Sequence, residues 1–163
     1  MNLNHLFEMQ QELDQRIKME HGLEKESLFE RKVLALLVEL GELANETRCF
    51  KFWSKKPSSS KEVVLEEYVD GIHFILSLGI EKDFHKDSFN IGISVTNTDL
   101  VSIFIKVYAH IHDFAGNPTR DGYHQLVSGY FALGQALQFG FDEIEQAYMQ
   151  KNTINHERQN TGY

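Results

Sequence analysis

The stretch from Val33 to Ala44 constrains this chain most. Val33, Leu34, Leu36, Leu37, Val38, Leu40, Leu43 and Ala44 make a helix that is apolar almost all round. Such a helix belongs at the centre of a bundle. Glu39 and Glu42 interrupt it, and Glu46 continues their spacing by one turn. Steps of three and four place the three carboxylates on one helical face. A carboxylate bordering a core is costly unless it is paired, hydrogen-bonded or bound to a metal.

A second stretch, Glu66-Glu67-Tyr68-Val69-Asp70, repeats the arrangement in a helix predicted over Lys61 to Ile80. Its core is Val63, Val64, Leu65, Val69, Ile72, Phe74, Ile75 and Leu76. Glu67, Asp70, His73, Phe74 and Ser77 line one of its faces. The combined pattern is Glu39-x-x-Glu42, 24 intervening residues (43–66), then Glu67-x-x-Asp70. Two helices that aim carboxylates at each other make an all-oxygen cage, which suits a hard cation such as Mg²⁺. The other reading is a pair of solvated stripes, but few lysines sit at the spacing that would pair them. Glu46 extends the cage toward a further ion or its waters. Glu66 points about 100° away from Glu67 and is expected at the surface.

The rest of the chain reads as further helices. Leu3 to Met19 is amphipathic and carries Gln10 and Asp14 one turn apart; His21-Gly22 ends it. Ser27, with Glu30 three residues on, makes a capping box for the second helix, which runs to Thr47. The connector from Arg48 to Lys61 holds Cys49, Phe50, Phe52 and Trp53 around Lys51, then a Lys-Lys-Pro-Ser-Ser-Ser run. It reads as a lid or, more simply, as an aromatic plug for the bundle end. Phe89 to Val95 alternates weakly, as a short extended piece would. Asn97, Thr98 or Asp99 caps a fourth helix from Leu100 to Phe114, with Val101, Phe104, Ile105, Tyr108 and Ile111 as its stripe. A fifth starts at Thr119 or Asp121 and runs to Phe139. Its Ser128, Gly129, Ala132, Gly134 and Ala136 permit close contact within the chain or across a dimer. Asp142 caps the last helix, with Ile144, Ala147, Tyr148 and Ile154 inward. The expected fold is all-α, a single domain over 1–163 built as a bundle of about five to six helices.

Lys151, Asn155 and Arg158 share a face of that last helix. A lysine offers a point charge and an arginine a fork for phosphate oxygens. Facing a carboxylate cage, they suggest a polyphosphate held between metal and tail. An exposed helix end with cations favoured by the dipole reads equally well. Asp70-x-x-His73 is half of a di-iron pattern that needs a Glu-x-x-His on each of two helices, so that reading ranks low. His110-x-His112-Asp113 reads as helix surface.

Composition narrows the class. One cysteine, Cys49, excludes an intrachain disulfide and a multi-cysteine zinc site. The net charge of -8, from 24 acidic and 16 basic residues, argues against nucleic-acid binding. It leaves room for one nucleotide bound through a metal. No apolar run reaches a membrane span, and no basic start leads into one, so a cytoplasmic protein is expected.

The acidic signature resembles that of the all-α nucleoside triphosphate pyrophosphatases, the MazG-type superfamily, and within it the dimeric dUTPases. The likeness rests on Met9-Gln10-x-x-Leu13-Asp14, Glu39-Leu-Gly-Glu42-Leu-Ala-Asn45-Glu46, Phe52-Trp53, Glu67-x-x-Asp70-Gly-Ile-His73-Phe74 and Tyr148-x-x-Lys151-Asn152-x-x-Asn155-x-x-Arg158-Gln159. The resemblance implies Mg²⁺-dependent hydrolysis of dUTP to dUMP and pyrophosphate by a homodimer. It implies two or more ions, with Mn²⁺ as a substitute, on Glu39, Glu42, Glu67 and Asp70. Glu39 would help activate the attacking water. Gln10, Asp14, Trp53, His73 and Phe74 would contact base and sugar, and Lys151, Asn155 and Arg158 the phosphates. At Asp14 many relatives carry an amide. Two alternatives stay open at this point. One is a related pyrophosphatase of other or broader nucleotide specificity. The other is a non-catalytic helical dimer that binds a partner.

Overall fold

The periodic segments fold as helices. The computed structural model describes residues 3–89 and 99–162. Its helices are α1 (Leu3–Glu20), α2 (Phe29–Thr47), α3 (Lys61–Glu81), α4 (Leu100–Gly116), α5 (Arg120–Ala136) and α6 (Phe141–Asn160). The architecture is all-α, and no strand occurs among the described residues. The extended piece expected up to Val95 lies, beyond Phe89, outside them. No described helix is long and apolar enough to cross a membrane.

The central helix is α3 rather than α2. α3 packs on α1, α2, α5 and α6, whereas α2 packs on α3 and α4. Leu36, Leu40 and Leu43 of α2 are fully buried, but Leu34 is 63% and Val38 49% exposed. The apolar surround of α2 therefore exceeds what one chain covers. Ile105 of α4, Val63 of α3 and Ile154 of α6, expected inside, are also exposed.

Close approach of α5 fixes α3. Tyr68 and Tyr130 stack with centroids 4.9 Å apart and exchange bonds: the Tyr68 hydroxyl donates to the Tyr130 carbonyl at 3.2 Å, and the Tyr130 hydroxyl to the Tyr68 carbonyl at 2.9 Å. Only glycine permits this. A Cβ at Gly71 would lie 2.0 Å from the Tyr130 hydroxyl oxygen, and one at Gly134 2.4 Å from that of Tyr68. Gly134 of α5 thus serves a contact within the chain. Gly129 likewise receives His110, which is half-buried rather than a surface residue; burial pushes its imidazole down.

Two caps differ from expectation. Leu28, not Ser27, precedes α2, and no side chain caps it. The Leu28 N–H donates instead to Glu81 Oε1 at the end of α3, 3.3 Å away. At α6 the cap is Gly140, not Asp142, and Glu143 accepts from the Gly140 N–H at 2.8 Å. Asp99 and Thr119 cap α4 and α5 as expected. α5 stops at Ala136, where Gln138 turns left-handed and returns Phe139 to the core.

Candidate active site

α1, α2, α3 and α6 enclose a cleft of about 480 Å³. The 3.6 repeat of α2 and α3 brings Glu39, Glu67 and Asp70 together, and Glu39 and Asp70 of the three line the cleft. Each offers a carboxylate oxygen, all within 4.8 Å of one another. Burial, then the charges of Asp70, Glu42 and Glu67, pushes Glu39 up to about 7. Burial and the neighbouring acids also raise Glu67, and burial raises Asp70. Three half-buried oxygen donors that repel one another fit a hard divalent cation, which would relieve the repulsion. Glu42 is exposed at the edge of the group and acts on Glu39 and Glu67 through its charge. Glu46 is not in the cluster. It accepts from the Ser59 hydroxyl, and its carbonyl from the Ser59 N–H at 3.0 Å, so it tethers the connector.

α6 faces the acids with Lys151. Its Nζ lies 2.7 Å from Asp70 Oδ2 and 2.9 Å from Glu66 Oε1. Burial works against its charge, but the bonds to Asp70 and Glu66 prevail and hold its pKa above the ordinary lysine value. Asn155 and Arg158 also line the cleft, with Arg158 donating to Asn155 Oδ1 at 3.4 Å. Glu66 is exposed, as its helical angle predicted.

The inner wall is a hydrogen-bonded chain. Gln10 Nε2 donates to Asp14 Oδ1 at 2.7 Å. Gln10 Oε1 accepts from the Tyr148 hydroxyl at 2.8 Å and stands 2.8 Å from His73 Nδ1. With the amide nitrogen turned to Asp14, the oxygen must accept, so His73 Nδ1 carries the proton. His73 Nε2 is then an acceptor, buried and without a protein partner. Burial, then Lys151, drives the ring down to about 3, so it is neutral at pH 7. Asp14 also accepts from the Ser77 hydroxyl and from Lys32, 3.2 Å away. Phe74 lines the same cleft.

Trp53 is not brought to this cleft. It is 65% exposed and Phe52 94%, packed edge-to-face with centroids 5.0 Å apart. They plug no bundle end in the single chain. Sequence reasoning missed Lys32, Glu81 and the role of Tyr148. One signal was present: Lys32 precedes Glu39 by seven residues, on the same helical face.

A helical bundle with clustered carboxylates, one of them paired with a lysine, beside a nucleotide-sized cleft has the build of the all-α nucleoside triphosphate pyrophosphohydrolases. No curated protein matches the chain. A family model for dUTPase matches residues 2–163. With that match over nearly its whole length, the chain belongs to the dUTPase family and is a dUTP diphosphatase; the MazG-type placement is consistent with its fold.

Proposed function

We propose that this enzyme, a single domain over 1–163, hydrolyses dUTP to dUMP and pyrophosphate by water attack at the α-phosphate, with Mg²⁺ on Glu39, Glu42, Glu67 and Asp70. The observation that carries the reading is the carboxylate cluster of Glu39, Glu67 and Asp70 opposite Lys151. Bound there, divalent ions would supply Lewis acidity and a water of lowered pKa. The chain's own residues do the rest. Glu39, the acid that the family resemblance points to, helps to activate the attacking water. Lys151, Asn155 and Arg158 orient the phosphates and offset charge on the leaving pyrophosphate. Gln10, Asp14 and Phe74 receive base and sugar, and the unpartnered His73 Nε2 accepts from a nucleoside N–H or O–H. A flexible tail that closes over the substrate would exclude water.

The working unit is a homodimer in the cytoplasm. Leu34 and Val38 form an uncovered apolar step on α2 that leads to Glu42 one turn on. A second copy seated there would cover both and enclose Glu42. It is also the partner able to use Trp53, whose base contact would then be completed across the interface.

The test is pyrophosphate release from dUTP, dTTP, dCTP and UTP, each with Mg²⁺ and with chelator. A strong Mg²⁺-dependent preference for dUTP is expected. Equal use of several nucleotides would reject the uracil preference. No release from any would reject the catalytic reading.

A further inference from the structure

The inner end of the cleft holds a lysine that the metal and phosphate chemistry does not use. Lys32 and Glu39 share a face of α2, about 10 Å apart along the helix axis. The cleft runs between them, and a nucleoside whose 5′-phosphate sits at Glu39 would turn its base toward Lys32. The lysine is only 8% exposed, which is rare for this residue. Its Nζ donates to Asp14 Oδ2 at 3.2 Å and to Glu81 Oε2 at 3.0 Å. An ammonium has three donors. Lys32 lines the cleft, so the third is left for a ligand. Beside it, Gln10 Nε2 spends one N–H on Asp14 and keeps its second. Asp14, as a carboxylate, only accepts. Among the side chains bonded to Asp14, Ser77 has spent its hydroxyl proton on that carboxylate, so donation to a ligand there falls to Lys32 and Gln10.

We propose that Lys32 is a specificity-determining residue that donates to a ring carbonyl of the nucleobase, selecting a pyrimidine imide over a ring bearing an amino group. This rests on the dUTP reading above. The ammonium cannot accept, so an amino group brought to it sets donor against donor and leaves both without partners. Asp14 on α1 and Glu81 on α3 hold Nζ from two sides, so it cannot easily withdraw. The donor is positioned before the base arrives, which spares the ordering cost of binding. The same lysine also ties α1, α2 and α3 together with Lys18, which reaches Glu81 at 3.2 Å. A purely structural role would therefore change stability without changing nucleotide preference.

The experiment compares kcat/KM for dUTP and dCTP in the wild type, in Lys32→Met and in the charge-balanced Lys32→Met/Glu81→Gln. Thermal unfolding is followed alongside. The double variant removes one buried charge of each sign and carries the same reading should the single variant fail to fold. Lys32→Met is expected to lower kcat/KM for dUTP by about 10- to 100-fold, mainly through KM, as for loss of a charged hydrogen bond. Turnover of dCTP should not fall, so the preference drops by the same factor. Equal loss on both nucleotides, or an unchanged ratio, overturns the proposal. Calorimetric binding of dUMP and dCMP in chelator reads the ratio without turnover. A wild type that binds dUMP better yet hydrolyses nothing would refute the catalytic reading. Lys32 would still be supported there if Lys32→Met abolished the preference, and refuted if the preference persisted.

Discussion

Lys151 Nζ donates to Asp70 Oδ2 at 2.7 Å, so a residue of the face of α6 proposed to bind phosphate sits on a carboxylate of the face of α3 proposed to bind metal. Glu66 steadies the same ammonium from outside the cleft. A lysine there and a divalent ion compete for one carboxylate. Incoming nucleotide would resolve the competition by drawing the lysine to its phosphates. Lys151→Met should therefore bind Mn²⁺ or Mg²⁺ tighter in the absence of nucleotide, by about 3- to 10-fold for a partly screened charge. It should also lose about 100-fold in kcat/KM for dUTP, since a charged phosphate contact is gone. Calorimetry with metal alone, set beside steady-state kinetics, separates the two effects. Weaker metal binding would show that Lys151 organises the acids rather than competing with the ion.

The raised Glu39 has a stability consequence. In the unfolded chain it titrates at about 4.5, and in the folded one at about 7. Between those values the folded state keeps a proton that the unfolded state has released. Stability from this group is full below about 4.5 and is lost as pH rises through about 7. Glu67 and Asp70 are raised as well and act in the same direction. In chelator, the melting temperature should fall between pH 5 and pH 8, and added Mg²⁺ should restore it most at pH 8. Glu39→Gln should flatten the decline and cut hydrolysis by about 10²- to 10⁴-fold. A chelated protein that grows more stable across this range would contradict the self-repelling cluster.

The acid pairs were legible because a carboxylate inside an apolar helix has so few tolerable explanations. Their partner Lys151 was legible from its place on the same face of α6 as Asn155 and Arg158. Lys32 was not. Between Arg31 and Val33 it looks like any helix-surface lysine, and its partners Asp14 and Glu81 lie 18 and 49 residues away. Only the packing of three helices shows that it is buried. The choice of α2 as the central helix failed for a related reason. Apolarity around a helix says that it is covered, but not whether its own chain or another provides the cover. The connector's aromatics share that ambiguity, since Phe52 and Trp53 project into solvent in the single chain.

The uncovered step on α2 gives a direct test of assembly. Leu34 and Val38 lie one turn apart and face outward. Leu34→Glu/Val38→Lys should leave the single-chain core intact, because neither residue belongs to it. Light scattering after size exclusion should shift from twice the chain mass to the mass of one chain. Hydrolysis should fall at least about 10-fold, because Glu42 and Trp53 would lose the enclosure that the proposed dimer gives them. A variant that stays dimeric would place the interface elsewhere.

The glycine next to Asp70 couples packing to the site. At Gly71 the α3 backbone comes so near Tyr130 that a methyl group would overlap its hydroxyl oxygen. Gly71→Ala must push α3 and α5 apart, and overpacking of this kind costs about 1–3 kcal/mol. Asp70 is the preceding residue and would move with the helix, so metal affinity should weaken together with stability. Tyr130→Phe deletes the clashing oxygen and the bond to the Tyr68 carbonyl, at about 1 kcal/mol. The double variant Gly71→Ala/Tyr130→Phe should then lose less than the sum of the single losses, by about 1 kcal/mol, because the worst overlap goes with the oxygen while the ring Cζ, 2.7 Å from the new Cβ, still crowds it. Urea unfolding of the four proteins measures this coupling, and Mn²⁺ calorimetry reports whether Asp70 returns with it. Strict additivity would mean that the two helices do not meet at these residues.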